Sequence, residues 1–238
     1  MAIPPNSPKN EMMSRPIVKP EVLDYMRHGQ RRLSGLLGNL ESDAQARNIP
    51  IIPHETVVFM QFLLGQLKPK EILEVGSAVG FSASLMSEIV KDAKITTIDR
   101  FDVMIKQAKA NFKKLNVEDK ITLLEGEAED ILKTLPSAQY DFVFMDSAKS
   151  KYIIFLPEIL RVMKAGAVLM VDDVFQGGTI VQDVSQIPRG KRAIHRGLKR
   201  FLDTVLNHPE LTSTLVPLGD GLILITKEAI DVNLSAEA

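Results

Sequence analysis

The sequence has no cysteine and no tryptophan, and only 3 of its 238 residues are tyrosine. The absence of cysteine excludes disulfides and thiolate metal sites and suits a reducing compartment. Charge of one sign is missing too: 29 Lys and Arg stand against 30 Asp and Glu, a formal net charge of −1. That balance offers no global field to nucleic acid or to a membrane, so any such signal must be local. No apolar run reaches the roughly 18 residues of a membrane span. The opening MAIPPNSPKNEMMSRP is polar and proline-rich, without the apolar core of a signal peptide. These absences predict a cytoplasmic protein with no membrane partner, a loose segment over 1–18 and a loose tail over 231–238.

What is present suits one domain over 19–230. Apolar residues make up 45%, enough at this length for a core that needs no staples. Over Pro20 to Arg47, apolar residues fall at helical spacing, predicting one or two helices broken near Gly29 or Gly35. Glu55 to Leu67 reads as a further helix, so the N-terminal helices span 19–67. From Glu71 the texture alternates. The strands EILEVG, KITTID, KITLLEG, YDFVFMD and AVLMVDD are each followed by a helical stretch. The last stretch runs from about Lys191 to Leu206, and STLVPLGDGLILITK reads as two strands joined at Gly219–Gly221. Alternation of this kind predicts an α/β fold over 71–227: a doubly wound, mostly parallel seven-stranded sheet with an antiparallel C-terminal hairpin. In such sheets ligands bind outside the carboxyl ends of the strands.

The chemistry-bearing residues fall at those ends. EVGSAVGFS joins the first strand to the first helix of the sheet, and Gly76 and Gly80 allow a tight turn and a close ligand. The dinucleotide fingerprint G-x-G-x-x-G is absent. Asp99 ends the next strand, where an acid can accept hydrogen bonds from a ribose, or cap a helix. Glu127 follows the third strand, where an adenine could sit. Asp146 ends the fourth strand, and Asp172 and Asp173 end the fifth. If those strands are neighbours, three carboxylates converge. Unpaired carboxylates in a partly dry cleft repel one another, and a hard divalent cation relieves them. The other reading is a solvated acidic rim or a helix cap. Lys149 lies three residues beyond Asp146. Beside a metal and a sulfonium its ammonium form is disfavoured and its pKa falls towards a useful range; otherwise it is a surface lysine like Lys151.

ILEVGSAVGFSA, TTIDR, FVFMDSAKSKY and VLMVDDVFQGG together resemble the metal-dependent O-methyltransferases of the catechol and caffeoyl-CoA type, over about Ile49 to Lys227. The resemblance implies a Rossmann-like domain that binds S-adenosylmethionine (SAM) and Mg2+, with Mn2+ as a substitute. It implies Asp146, Asp172 and Asp173 as metal ligands and Lys149, with Asp146, as catalytic. Asp173 stands where that family usually has Asn, so it could instead stay protonated or turn away. IPIIPHET, DDVFQGG, the helix KRAIHRGLKRFLDTVLNHPEL and PLGDGL resemble the bacterial tRNA 5-hydroxyuridine methyltransferases within this group. That likeness implies Ile52, Glu74, Gly76, Ser82, Asp99, Glu127, Ala128 and Asp146 as SAM contacts, and the tRNA anticodon region, rather than DNA, as partner.

The basic helix carries its own signal. Arg189, Arg192, Arg196, Lys199 and Arg200 share one helical face, while Ile194, Leu198, Phe201, Leu202 and Val205 share the other. A basic stripe beside a cleft is what phosphates require; a solvated helix face is the plainer reading. Expected, then, is 5-methoxyuridine formation in tRNA. O-methylation of small catechols or phenols is the alternative, and a silent SAM- and RNA-binding protein the third. A homodimer through the N-terminal helices is also expected.

Overall fold

The structure, a computed structural model, describes residues 18–234. The expected loose segments, apart from residue 18 and residues 231–234, lie outside that range. Three helices precede the sheet: α1 (Pro20–Gly29), α2 (Gly35–Ala46) and α3 (His54–Leu67). The chain breaks at both expected glycines, and the extended link between them separates α1 from α2. After α3 come β1 (Glu71–Val75), α4 (Phe81–Ile89), β2 (Lys94–Asp99), α5 (Asp102–Leu115), β3 (Ile121–Glu125) and α6 (Ala128–Thr134). Then follow β4 (Tyr140–Met145), α7 (Tyr152–Val162), β5 (Met163–Val171), α8 (Arg192–Leu206), β6 (Leu211–Val216) and β7 (Leu222–Lys227).

The sheet has seven strands in the order β3-β2-β1-β4-β5-β7-β6. The first five are parallel, and β7 runs antiparallel to both β5 and β6. The doubly wound reading therefore holds. Each crossover helix covers a face, and the apolar runs of the central strands are buried on both sides. One core cluster joins α7 and α8 to the sheet through Tyr152, Phe155, Leu198 and Phe201. The other joins α2, α3, α4 and α5 through Leu37, Val57, Phe81 and Phe112. The strand order turns between β1 and β4, so the loops after these two strands diverge and leave a crevice.

β5 differs from its expected span. It begins four residues earlier, at Met163, because Met163 pairs with Tyr140 across a register irregularity before the regular ladder resumes at Phe142–Val168. It ends at Val171, so Asp172 and Asp173 stand just beyond the strand. Asp172 N–H still donates to Met145 O at 3.0 Å, whereas Asp173 turns to φ +58° and ends the extended run. The segment between β5 and α8 contains three short 3-10 turns, Thr179–Val181, Val184–Gln186 and Arg189–Lys191. Their residues follow no apolar period and were not expected as elements.

Candidate active site

The carboxyl ends of β1, β2, β3, β4 and β5 surround a cavity of about 460 Å3, within the range of small-molecule sites. Its floor is the β1–α4 loop. Gly76 sits there at φ +105°, and its N–H donates to Ile98 O at 3.0 Å. A Cβ on Gly76 would lie 1.9 Å from Asp146 O, so only glycine lets the β1 and β4 ends approach this closely. Ala78, two residues on, also takes a positive φ of +44°.

Asp99 ends β2 at the cavity wall. One oxygen accepts Ala78 N–H at 2.8 Å, and the other accepts Arg100 N–H at 2.7 Å and Phe101 N–H at 2.9 Å. The carboxylate therefore ties the glycine loop to the two residues before α5 and also lines the cavity, where it is placed for a ligand; it does not cap α5, whose N-terminus carries no side-chain cap. Ile52, Gly76, Ser82, Asp99, Glu127, Ala128 and Asp146 all line this one cavity. Glu74 does not. It is fully buried beneath the floor, where its carboxylate accepts hydrogen bonds from Ser82 and Thr97 hydroxyls. Burial pushes its pKa up to about 7, with the two hydroxyls opposing and Asp146 and Asp99 adding to the rise. Glu74, implied as a SAM contact, is thus not among the residues that line the cavity; it lies beneath them, hydrogen-bonded to the lining residue Ser82.

The lining residue Arg100, and Tyr152 packed behind the cavity, escaped the sequence reading. Arg100 pairs with Glu127 at 2.8 Å and lies 4.7 Å from the centroid of the Phe101 ring. The only available cue was its place directly after Asp99. Tyr152, at the start of α7, is fully buried. Its hydroxyl accepts Ser147 N–H at 3.2 Å and lies 3.3 Å from Asp172 O, bridging the loops after β4 and β5. Phe201 of α8 packs against Tyr152 edge-to-face at 5.9 Å.

Asp146, Asp172, Asp173 and Lys149 meet at the other end of the cavity. Burial, then the Asp173 charge, pushes the Asp146 pKa up to about 6 against the opposing charge of Lys149. Burial and the charges of Asp173 and Asp146 raise Asp172 well above the ordinary carboxylate value. Lys149 pairs with Asp173, Nζ to Oδ2, at 2.7 Å, and both side chains are nearly buried. Burial works to lower the lysine pKa, but Asp173 and Asp146 outweigh it and hold the ammonium above its usual value. Among the protein groups alone the shift is upward, because three carboxylates face the lysine; the fall expected from the sequence was tied to a neighbouring metal and sulfonium.

Crowded hard oxygens that raise one another's proton affinity fit a divalent cation by the chemistry of the donor set. The described residues hold no group of three acidic or histidine side chains gathered for a metal. Asp146 and Asp172 are the pair left to hold one, since Asp173 is engaged by Lys149.

The loop after β5 is clasped from the hairpin. Val174 N–H donates to Gly221 O at 3.0 Å, Phe175 N–H to Asp220 O at 2.9 Å, and Gly177 N–H to Asp220 Oδ1 at 2.5 Å. A Cβ on Gly221 would lie 2.0 Å from the Phe175 ring. The Gly219–Gly221 turn thus braces the acid loop as well as closing a hairpin.

The basic stripe lies outside the cavity: none of its five residues lines it. Arg192 spends its guanidinium on Ile187 O at 2.8 Å and Ser185 O at 3.2 Å, and Lys199 pairs with Asp203 at 3.5 Å. Arg189, Arg196 and Arg200 are exposed and make no ion pair with the described residues. The buried face of α8 rests on the 3-10 turn Lys149–Lys151. A Cβ on Gly197 would lie 2.8 Å from Ser150 O. No helix of the described residues is long and apolar enough to cross a membrane.

Known proteins share this architecture and about a quarter of the aligned sequence. A family described as O-methyltransferase matches residues 36–228. Tapetum-specific methyltransferase 1 of Arabidopsis thaliana is 29% identical over 73% of this chain and 76% of its own length. Catechol O-methyltransferase of Mycobacterium tuberculosis is 26% identical over 66% of this chain and 70% of its own. The SAH-bound structure of the methyltransferase PaMTH1 from Podospora anserina has a TM-score of 0.78 at 26% identity, covering 88% of this chain and 94% of that one. With a crevice at the turn of the strand order, an acid at the end of β2 and carboxylates after β4 and β5, the chain belongs to this O-methyltransferase family and is a SAM-dependent O-methyltransferase.

Proposed function

We propose that this enzyme methylates the 5-hydroxyl of 5-hydroxyuridine at the tRNA wobble position, giving 5-methoxyuridine, with Mg2+ or Mn2+ at the acid cluster. The observation that carries the tRNA reading is the set of exposed arginines: Arg196 and Arg200 on the helix that rests on the Lys149 turn, and Arg189 in the 3-10 turn just before it. Exposed guanidiniums without ion-pair partners suit backbone phosphates. A wobble base already lies in a loop and can be splayed into a pocket at small cost.

SAM, when bound, supplies a methyl group made electrophilic by its sulfonium. A cation held by Asp146 and Asp172 would supply Lewis acidity to an acceptor bearing two adjacent oxygens, lowering the pKa of its hydroxyl. In 5-hydroxyuridine the C5 hydroxyl and C4 carbonyl are such a pair, as are the hydroxyls of a catechol. Asp99 offers its carboxylate to the ribose of SAM, and Gly76 lets SAM approach the backbone. Lys149, held as an ammonium, stabilises the acceptor oxygen as it loses its proton to water. Fixing the oxygen in line with the methyl supplies much of the rate.

A second reading, methylation of a free catechol or related phenol, is favoured by the catechol-named relative and by a cavity that the arginines do not line. Labelled SAM incubated with tRNA containing 5-hydroxyuridine, and separately with catechol, each with Mg2+ or excess chelator, separates the two. Metal-dependent label in 5-methoxyuridine supports the tRNA reading. Label on catechol alone overturns it in favour of the second. Label that survives chelation removes the cation.

A further inference from the structure

Asp173 is the position at which this chain departs from the Asn of the family it resembles, and its backbone shows which property of that residue is needed. At φ +58° it occupies the left-handed region, which Asn and Asp tolerate better than most residues. Both residues meet the backbone requirement, so the replacement changes charge and leaves the turn intact. The added charge goes to a specific place: Asp173 Oδ2 lies 2.7 Å from Lys149 Nζ, with the two side chains 12% and 9% exposed. The Asp173 N–H donates to Asp172 Oδ1 at 2.7 Å, which fixes the start of the turn. Lys149 in turn sits on a 3-10 turn pressed from below by α8. Its long side chain is thereby given one fixed direction.

From this geometry we infer that Asp173 is the counter-ion and positioning residue of Lys149 and is not a metal ligand. The inference rests on the cation reading above for its second half only. A cation on Asp173 would share one carboxylate with an ammonium already at hydrogen-bond distance, and the two positive charges would repel. With Asp173 so engaged, three carboxylates against one ammonium leave two negative charges uncompensated when all are ionised, the complement of one divalent cation. Two carboxylates are also an ordinary protein contribution to a Mg2+ site.

Two measurements test the two halves separately. The first is a double-mutant cycle of melting temperature in excess chelator, with Asp173→Asn, Lys149→Met and the double variant. Lys149→Met leaves Asp173 without its ion-pair partner, whereas Asp173→Asn leaves Lys149 the charges of Asp146 and Asp172; if the pair is coupled, the double variant should melt at least about 2 °C higher than the sum of the two single changes allows. Additive losses would overturn the pairing. If Lys149→Met does not fold, Lys149→Gln takes its place in the cycle. The second is Mn2+ titration followed by the free-ion electron paramagnetic resonance signal. Asp173→Asn should bind Mn2+ within about threefold of the unaltered chain. Lys149→Met should bind it about fivefold or more tightly by releasing Asp173, a gain lost in the double variant. Loss of tenfold or more in Asp173→Asn would make Asp173 a ligand and sink the inference. If the unaltered chain binds no Mn2+, the cation reading falls, and the cycle in chelator still decides the pairing.

Discussion

Replacing Gly76 with Ala tests whether the approach of β1 to β4 makes the SAM floor. Two costs add. The first is backbone: a non-glycine residue at φ +105° carries about 1–3 kcal/mol of strain. The second is contact. The new Cβ would lie 1.9 Å from Asp146 O and 2.9 Å from Asp146 C. An ordinary carbon–oxygen contact is about 3.3 Å, so the two strand ends must part by more than about 1 Å, an overpacking cost of about 1–3 kcal/mol. A total of about 4 kcal/mol lowers the melting temperature by about 8–16 °C in a chain of this size. Gly166→Ala is the control. It has φ +80° and nothing within 4 Å of the added Cβ, so it carries strain of about 1–2 kcal/mol alone, or about 2–8 °C. Scanning fluorimetry gives the melting temperatures and calorimetry the SAM affinity, which should fall at least about tenfold in Gly76→Ala alone, as the displaced loop no longer fits its ligand. If Gly76→Ala melts no lower than Gly166→Ala and binds SAM within twofold of the unaltered chain, the close approach is not what shapes the floor.

Three further outcomes are expected. Glu74 has a folded pKa of about 7, above its ordinary 4.5. Its contribution is therefore fully present below pH 4.5 and is lost as pH rises to 7, a swing of about 3 kcal/mol. Glu74→Gln should gain stability relative to the unaltered chain across that window in denaturant melts, and a constant difference would contradict the assignment. Tyr152→Phe removes the hydroxyl that bridges Ser147 and Asp172; it should cost about 1–2 kcal/mol, read as about 2–8 °C in a thermal melt. Arg196→Glu with Arg200→Glu should weaken tRNA binding about tenfold or more and flatten its salt dependence in filter-binding assays, while SAM affinity stays unchanged.

The sheet was legible because its strands are short apolar runs bounded by turns, and their alternation with helices admits few topologies. The pairing of β4 with β5, on which the convergence of Asp146 with Asp172 depends, follows from that rule. Contacts that depend on side-chain direction were not legible. Glu74 and Asp99 both fall at or near strand ends, yet one faces beneath the floor and the other the cavity. Glu74 pairs in register with Thr97, two residues before Asp99, so the two acids share a face of the sheet and differ in depth: Glu74 lies one step inside the strand and Asp99 at its end. The pairing of Lys149 with Asp173 was not legible either, because it depends on a left-handed turn at Asp173. The 3-10 turns before α8 were missed because single turns bury no repeating face. Tyr152 was missed because nothing local in SKY marks a bridge between two loops.

The clasp between the acid loop and the hairpin also sets an order of events during synthesis. Gly177 and Asp220, which it joins, lie 43 residues apart. At about 5–20 residues per second a ribosome takes about 2–9 s to cover that distance. Through that interval β5 has no β7 beside it. The Val168–Val171 stretch that later pairs with β7 is a bare sheet edge of the kind that invites pairing with another chain. The loop bearing Asp172 and Asp173 is unbraced over the same seconds. The emerging chain therefore becomes competent only when its last strand slots between β5 and β6, and those few seconds are when it most needs chaperone cover.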